Sequence, residues 1–259
     1  MTDREVLTGG VNEVVRIGTT VRRPTGPWTP MVHGLLRHLR DQGFTAAPAV
    51  HGVTGDGFEI LDFIPGEVSN YPMTPAAASM RALESAAELL RAYHDSTLGY
   101  ARDVTDGWML PPRTPTEVIC HGDYAPHNCV FEGDEVVGII DFDTAHPAPR
   151  IWDIGYAVYR WAPTGRVEDR DGSGTPEEQA RRARVFCDRY GLDAAGRAGL
   201  MDTVVARLHA LVDLMRSEAA RGNQAFARHL EEGHHLLYLA DVEYVEEQRG
   251  VFDRYLLAT

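Results

Sequence analysis

The most constraining feature of this chain is one stretch, ICHGDYAPHNCVFEGDEVVGIIDFDTA, at residues 119–145. It begins apolar, passes through a polar loop that contains Pro126, and continues as two apolar segments separated by a turn at 132–135. This pattern predicts a strand, a loop and then a β-hairpin. Because a hairpin brings its two ends together, we expect Asn128, which opens the hairpin, to lie beside Asp141, which closes it.

The polar side chains of this stretch suit one kind of chemistry. Amide and carboxylate oxygens, as in Asn128 and Asp141, are hard ligands that suit Mg²⁺ held partly by substrate phosphates. Asp123 lies five residues before Asn128 in the loop. Its carboxylate can orient a hydroxyl group and accept the proton of that hydroxyl. For Asp143 two roles stay open, a further metal ligand or a solvated, capping acid.

HGDYAPHN followed by IIDFD resembles the catalytic segment of the aminoglycoside phosphotransferase family, most clearly over residues 119–156. Members of that family are small-molecule kinases with a protein-kinase-like fold. The resemblance implies that Asp123 is the catalytic base and that Asn128 and Asp141 bind Mg²⁺, with ATP or GTP as phosphoryl donor. It also implies that His121 and Asp153 support the catalytic loop structurally.

The rest of the chain predicts an α+β, protein-kinase-like fold with two lobes. Hairpins are predicted over residues 11–23 and 49–66, with one amphipathic helix over 31–44 between them. The composition then becomes mainly helical. We therefore predict a nucleotide-binding N-terminal lobe, 1–65, with a small antiparallel sheet and one helix, and a larger, mainly helical catalytic and substrate-binding lobe, 66–259.

Start signals and apolar periodicity predict the helices of the larger lobe. Thr74 followed by Pro75 predicts one long helix, and Thr175-Pro176-Glu177-Glu178 predicts the start of another. Amphipathic helices are also predicted over residues 200–215 and 225–248.

The chain departs from the kinase pattern at the residue that usually holds the α- and β-phosphates. That residue is a lysine paired with a helix glutamate, but this chain contains no lysine. On the matching strand, Arg22 is the preferred substitute and Arg23 the alternative, and strand alternation sends the two to opposite faces. The helix carries Val32 and His33 near the position of the glutamate. The ion pair is therefore either absent or rebuilt from other residues.

Two further segments are candidates for contact with the nucleotide. The backbone of Gly9 and Gly10 either caps a phosphate or forms a simple turn between strands. ILDFIPG resembles the hinge of the family, where the backbone of Asp62, Phe63 and Ile64 would meet the adenine.

Charge and composition narrow the classes of partner. The net charge of −13 makes nucleic acid and anionic membranes poor partners and favours a cationic small-molecule acceptor. No apolar run is long enough for a membrane span, and the N-terminus lacks a signal-peptide pattern, so a cytoplasmic protein is expected. Three cysteines without a CxxC pair indicate neither structural zinc nor a disulfide framework. The sequence does not indicate an oligomeric state.

Three functional hypotheses follow, in order of preference. The first is a kinase that transfers the γ-phosphoryl group of ATP or GTP to a hydroxyl of an aminoglycoside-like or other amine- or sugar-bearing molecule. The second is a kinase-like binding protein that has lost catalysis, because the usual lysine and glutamate are missing. The third is a metal-dependent hydrolase, which would use His121, Asp123, His127, Asp141 and His146.

Overall fold

The computed structural model describes residues 4–7, 14–166 and 174–258, so Gly9 and Gly10 lie outside the described residues. The strands are β1 (Arg4–Leu7), β2 (Val14–Ile17), β3 (Thr20–Pro24), β4 (Val50–Val53), β5 (Phe58–Asp62), β6 (Val118–Cys120), β7 (Cys129–Glu132), β8 (Glu135–Ile139) and β9 (His146–Ala148). The helices are α1 (Thr29–Asp41), α2 (Met80–Ser96), α3 (Tyr100–Asp103), α4 (Arg150–Trp161), α5 (Pro176–Tyr190), α6 (Ala194–Arg197), α7 (Leu200–Ala220), α8 (Gln224–Glu231), α9 (His234–Glu247) and α10 (Arg249–Leu256).

The N-terminal strands form one antiparallel sheet in the order β1-β2-β3-β5-β4. Both predicted hairpins are present: β2 and β3 join at the Gly18 turn, and β4 and β5 join through the turn that contains Gly57. β1 was not predicted, and it extends the sheet by pairing with β2. The register of β3 against β5 places Arg23 directly opposite Glu59.

Helix α1 follows β3 and buries one apolar stripe. Val32, Leu35, Leu36 and Leu39 are at most 2% exposed, and the predicted helical spacing is thereby confirmed. The chain reverses just after the helix at Gly43, whose φ of +82° suits a residue without Cβ.

Two short antiparallel ladders carry the predicted catalytic segment. β6 pairs with β9, and β7 pairs with β8, so the hairpin expected over 129–139 is confirmed. The Ile140 N–H donates to the Asn128 carbonyl at 2.9 Å and closes the open end of this hairpin. Asn128 and Asp141 therefore flank the same end, as the hairpin pattern predicted.

Contacts group the chain into two compact units. The first comprises Met1–Val68, Leu89–Asp123 and His127–Arg150, and the second comprises Ser69–Glu88, Tyr124–Pro126 and Ile151–Thr259. The second unit is built mainly from helices, and the antiparallel sheet lies in the first. The α+β prediction is thus confirmed, while the lobe boundaries 1–65 and 66–259 stay a prediction.

Two helix predictions needed correction. The helix expected from Thr74 begins only at Met80. The Thr74 hydroxyl accepts from the Ala77 N–H in a separate turn. The Ser79 hydroxyl accepts from the Ala82 N–H at the true start of the helix. The single helix expected over 225–248 is broken at Gly233, which has a φ of +81° and separates α8 from α9. By contrast, α5 begins after Thr175 as predicted.

The described part of the chain contains no helix that is both long and apolar enough to cross a membrane. Its cysteines, Cys120, Cys129 and Cys187, are free thiols in buried positions. Burial raises the pKa of the Cys187 thiol to about 12. These thiols are therefore core residues, as expected from their apolar neighbours.

Candidate active site

The loop after β6 is held in place by Gly122. Its φ of +82° is a left-handed conformation, and a Cβ atom at this position would collide with the Thr144 carbonyl oxygen. The Thr144 hydroxyl donates to the His121 carbonyl at 3.0 Å. The loop therefore packs backbone against backbone on the segment that follows β8.

His121 connects the same two segments through its ring. Its Nε2 lies 3.0 Å from the Ile140 carbonyl, and its Nδ1 accepts from the Asp123 N–H at 3.3 Å. Since a carbonyl only accepts, Nε2 is the donor in the first contact, and Nδ1 is the acceptor in the second. The ring is fully buried and packs edge-on against Phe142. With both nitrogens engaged, His121 has the geometry of a loop support and has no lone pair left for the metal of a hydrolase.

Asp123 and Asn128 are joined by the side-chain amide. Asn128 Nδ2 donates at 2.9 Å both to the Asp123 carbonyl and to Asp123 Oδ2. His127 Nε2 lies 3.5 Å from the same Oδ2. The Asp123 carboxylate stays one-third exposed, so a hydroxyl group can approach it. Because the amide nitrogen faces Asp123, the amide oxygen of Asn128 is directed away as an acceptor.

Asp141, at the other end of the hairpin, has an unusual backbone. Its φ of +62° is the only positive value at a non-glycine residue in the described part of the chain. Left-handed backbone at such a residue costs about 1–3 kcal/mol and is concentrated at functional sites. The Asp141 carboxylate is half exposed.

Arg23 is the arginine that reaches the acids. Its Nε donates to Glu59 at 2.6 Å, Nη1 to Asp141 at 2.7 Å and Nη2 to Asp143 at 2.6 Å. Arg23 lies in β3 and is 7% exposed. One buried guanidinium therefore serves three carboxylates, each through a different nitrogen.

Charge crowding around Arg23 shifts two pKa values. Burial alone would lower the pKa of the Arg23 guanidinium, but the carboxylates of Asp141, Asp143 and Glu59 raise it above its usual range. Burial raises the pKa of the Asp143 carboxyl, and repulsion from Asp141 and Glu59 adds to the rise, while Arg23 opposes it. The cluster thus carries more negative charge than one guanidinium neutralises.

Glu59 and His33 complete this cluster, and sequence reasoning did not select Glu59. The second Glu59 oxygen lies 2.6 Å from His33 Nε2, and both side chains are buried. The missed signal was strand alternation in FEILD: Glu59 shares its face with the buried Leu61, so a carboxylate points inward. His33 occupies the region of α1 where the sequence lacked a glutamate. The described residues thus contain a buried ion pair, Arg23–Glu59, in which the glutamate lies on β5 and not on the helix.

Arg22 lies on the opposite face of β3, as alternation requires. It is half-buried, and its Nε has no hydrogen-bond partner among the described residues. Its cross-strand neighbours are Val15 and Ile60. The preferred substitute for the kinase lysine is thus turned away from Asp141, whereas the alternative, Arg23, contacts it.

The proposed hinge lies at the end of β5. The Asp62 N–H donates to the Ala49 carbonyl and the Phe63 N–H donates to the Thr19 carbonyl. The Arg16 guanidinium lies over the Phe63 ring, 3.9 Å from the ring centroid, in a cation–π contact. These two N–H groups are already used in hydrogen bonds to other backbone groups, and contact of this segment with a nucleotide base stays a prediction.

Asp153, the other predicted support residue, is fully buried in the first turn of α4 and belongs to the second unit. Its supporting role therefore stays a prediction.

The chemistry of the donor set fits Mg²⁺. Asn128 offers an amide oxygen, and Asp141 and Asp143 offer carboxylate oxygens, which are the hard ligands that this ion prefers. The excess of carboxylates over the single Arg23 charge also favours a bound cation. The half-exposed Asp141 carboxylate is the most accessible of these ligands.

Comparison with known proteins places this chain in a family. The model of the phosphotransferase enzyme family matches residues 102–200. Trifolitoxin immunity protein of Rhizobium leguminosarum bv. trifolii is 34% identical over 216 residues, which cover 79% of this chain and 80% of that protein. A relative at this identity and coverage shares the fold and the family.

Solved structures of kinases show the same fold. A complex of amicoumacin kinase with AMP-PNP and Ca²⁺ superposes with a TM-score of 0.63 at 14% identity and covers 89% of this chain and 88% of that chain. The streptomycin–ATP ternary complex of APH(2″)-IIa has a TM-score of 0.56 at 14% identity and covers 88% of this chain and 91% of that chain. The protein-kinase-like prediction is thus confirmed for the fold.

Proposed function

Because this chain belongs to the aminoglycoside phosphotransferase family, we propose that it is a kinase that transfers the γ-phosphoryl group of ATP or GTP to a hydroxyl of a small molecule. The family and the kinase-like fold support a small-molecule phosphotransferase. The observation on which this proposal rests is the hydrogen bond between Asn128 and Asp123: the Asn128 side-chain amide donates to the Asp123 carboxylate at 2.9 Å. Hairpin closure brings Asp141 to the same end.

In this proposal the Asp123 carboxylate accepts the proton of the acceptor hydroxyl. The hydroxyl oxygen attacks the γ-phosphorus, the bond to the β–γ bridging oxygen breaks, and the nucleoside diphosphate leaves. Asn128 and Asp141 would hold Mg²⁺, which would neutralise negative charge on the phosphate oxygens. Arg23 contributes a further positive charge at the nucleotide, and His121 keeps the Asp123 loop in place.

We propose a toxic or antibiotic-like compound as the acceptor, carrying a hydroxyl and a cationic amine. The relative's name supports this class, because that protein is named for immunity to trifolitoxin. The net charge of −13 also favours a cationic acceptor. Phosphorylation would then add negative charge to the compound and weaken its fit to its target.

A kinase-like binding protein without transfer is the second candidate. It is favoured by the contact of Arg23 with Asp141 and Asp143, the carboxylates that a metal would need. This protein would bind a nucleotide or a small molecule without releasing a nucleoside diphosphate.

The test is to incubate the protein with Mg²⁺ and ATP or GTP across a panel of hydroxylated amines, aminoglycosides and peptide toxins, with mass spectrometry to detect a phosphorylated product. On a confirmed acceptor, we expect Asp123→Asn to bind nucleotide normally but to turn over about a hundredfold or more slowly, the usual scale for a general base. Asp134→Asn, in the exposed turn between β7 and β8, is the matched control. Full turnover by Asp123→Asn would remove this aspartate from the mechanism.

A further inference from the structure

We propose that Glu59 is a positioning residue that retains the Arg23 guanidinium beside the nucleotide phosphates when a divalent metal takes over Asp141. His33 would fix the Glu59 carboxylate in the orientation that this task needs. The inference rests on the proposed function, since it concerns the nucleotide site of the same reaction. It assigns to β5 and α1 the role that a helix glutamate has in other kinases.

The three carboxylates around Arg23 differ in accessibility. The Glu59 side chain is 2% exposed, the Asp143 side chain 20% and the Asp141 side chain 50%. A metal or a phosphate can approach the guanidinium only from the exposed side. Asp141 is therefore the partner that can be exchanged, and Glu59 is the partner that stays.

Binding of a metal to Asp141 creates a competition for that carboxylate. Arg23 Nη1 lies 2.7 Å from Asp141 Oδ1, and a cation on this oxygen repels the guanidinium. Nη1 then needs another anion, and a nucleotide phosphate supplies one, because two of its oxygens fit the planar donor fork of a guanidinium. Through Nε, Arg23 can remain bonded to Glu59 during this exchange, because Nε lies on the other edge of the guanidinium.

Glu59 is held by contacts from two other elements. Its Oε1 accepts from Arg23 of β3, which is its direct cross-strand neighbour, and its Oε2 accepts from His33 Nε2–H of α1. Both oxygens are thus engaged at 2.6 Å. Because both of its oxygens are bonded, the Glu59 carboxylate cannot shift toward the solvent. It therefore restricts how far the Arg23 guanidinium can move while the two remain hydrogen-bonded.

A plain structural role is the competing explanation. Arg23 and Glu59 would then be only a buried cross-strand ion pair that stabilises the sheet. Such a pair would affect the unfolding temperature of the protein but would leave nucleotide affinity and the metal requirement of the folded protein unchanged. The two explanations therefore differ in ligand binding, which can be measured without turnover.

The decisive variant is Glu59→Gln, which keeps the shape of the side chain and an acceptor oxygen but removes the charge. Calorimetry with AMP-PNP and Mg²⁺ should show affinity about 10–100-fold weaker than for the parent, as for other groups that orient a binding residue. The Mg²⁺ concentration needed for half-maximal binding should also rise, because Asp141 and Asp143 are then the charged partners left to Arg23, and the guanidinium competes more strongly with the metal for Asp141. Glu5→Gln is the control, since Glu5 pairs with Arg16 at an exposed position of the same sheet.

Two variants of His33 test the orientation of Glu59. Glutamine can still donate a hydrogen bond to Glu59, so His33→Gln should bind AMP-PNP nearly as the parent does. Alanine cannot donate, so His33→Ala should shift affinity in the same direction as Glu59→Gln. All binding measurements should be made at a temperature at which circular dichroism shows that every variant is folded.

The outcomes separate the two proposals. If the parent binds nucleotide and folded Glu59→Gln binds it equally well at the same Mg²⁺ requirement, the positioning role is overturned and the proposed function stands. If the parent itself binds no nucleotide, the proposed function falls and the positioning role falls with it. Weaker binding by both Glu59→Gln and His33→Ala, with His33→Gln unaffected, supports the role.

Discussion

At the scale of the residue, the orientation of adjacent arginines decides how this site can work. Alternation along β3 requires Arg22 and Arg23 to face opposite ways. Pairing of β3 with β5 then sets Arg23 against Glu59 and Arg22 against Ile60. Arg23, which lies beside the buried Glu59 carboxylate, also contacts Asp141 and Asp143. Arg23 therefore supplies the positive charge next to the candidate metal ligands.

This geometry predicts different effects for the two arginines. Arg23→Lys keeps the charge but replaces a planar fork with a point charge, which cannot contact three carboxylates through separate nitrogens. We expect nucleotide affinity to fall about tenfold or more, on the scale of other lost orienting contacts. Arg22→Lys, which changes the neighbouring side chain in the same way, should bind like the parent. Fluorescence titration with a labelled nucleotide measures both, and a larger loss for Arg22→Lys would reverse the assignment.

At the scale of the element, the start of α5 is specified by a few adjacent residues. Thr175 accepts from the Glu178 N–H, and the Glu178 carboxylate accepts from the Thr175 N–H at 2.7 Å, so the reciprocal capping box is complete. Hydrogen bonds from Thr175 lower the pKa of Glu178. Pro176 adds a backbone already suited to the first helical position.

The capping box predicts a pH-dependent effect on stability. Because the folded pKa of Glu178 is lowered, its carboxylate stabilises the fold above the pKa of the unfolded chain, and this contribution is lost as pH falls through the folded pKa. Glu178→Ala should therefore lower the unfolding temperature at neutral pH, and the difference from the parent should narrow below about pH 4. Glu177→Ala, which lies in the same turn but outside the box, is the control for helix propensity. A difference that widens toward low pH would contradict this assignment.

At the scale of the whole molecule, excess acidity works against binding of an anionic nucleotide. The net charge is −13, and three carboxylates share the one guanidinium at the candidate site. A free nucleotide therefore meets repulsion unless a cation accompanies it. In the same way, side-chain ligands from Asn128 and Asp141 alone cannot fill the octahedral shell of Mg²⁺. Metal and nucleotide are thus expected to bind together.

This dependence is measurable as thermal stabilisation. Mg²⁺ with AMP-PNP at about a hundred times the dissociation constant should raise the unfolding temperature by about 5–10 °C. Mg²⁺ alone or AMP-PNP with a chelator should raise it far less. Differential scanning fluorimetry gives all three values, and the Asp141→Asn variant should lose most of the combined shift. Strong stabilisation by Zn²⁺ without nucleotide would instead favour the hydrolase hypothesis.

Local chemistry determined the parts of this protein that the sequence predicted correctly. The stretch 119–145 carries its own strand, turn and loop signals, so its hairpin and the pairing of its ends follow from neighbouring residues. The hairpin turn at Gly18 and the capped start of α5 likewise depend on a few adjacent residues. The resemblance of the same local motif to a kinase family also predicts the kinase-like fold.

Tertiary structure decided what depends on residues far apart in the chain. The sequence left open which arginine faces the acids, because that depends on the register between β3 and β5 and on the approach of the segment after β8. Arg23 meets Glu59 across 36 positions of sequence and Asp141 across 118. His33 joins them only because α1 packs beside the sheet. Charge pairing at such separations has no local signature, since any arginine and any carboxylate attract each other, and only the folded backbone selects the pairs that meet.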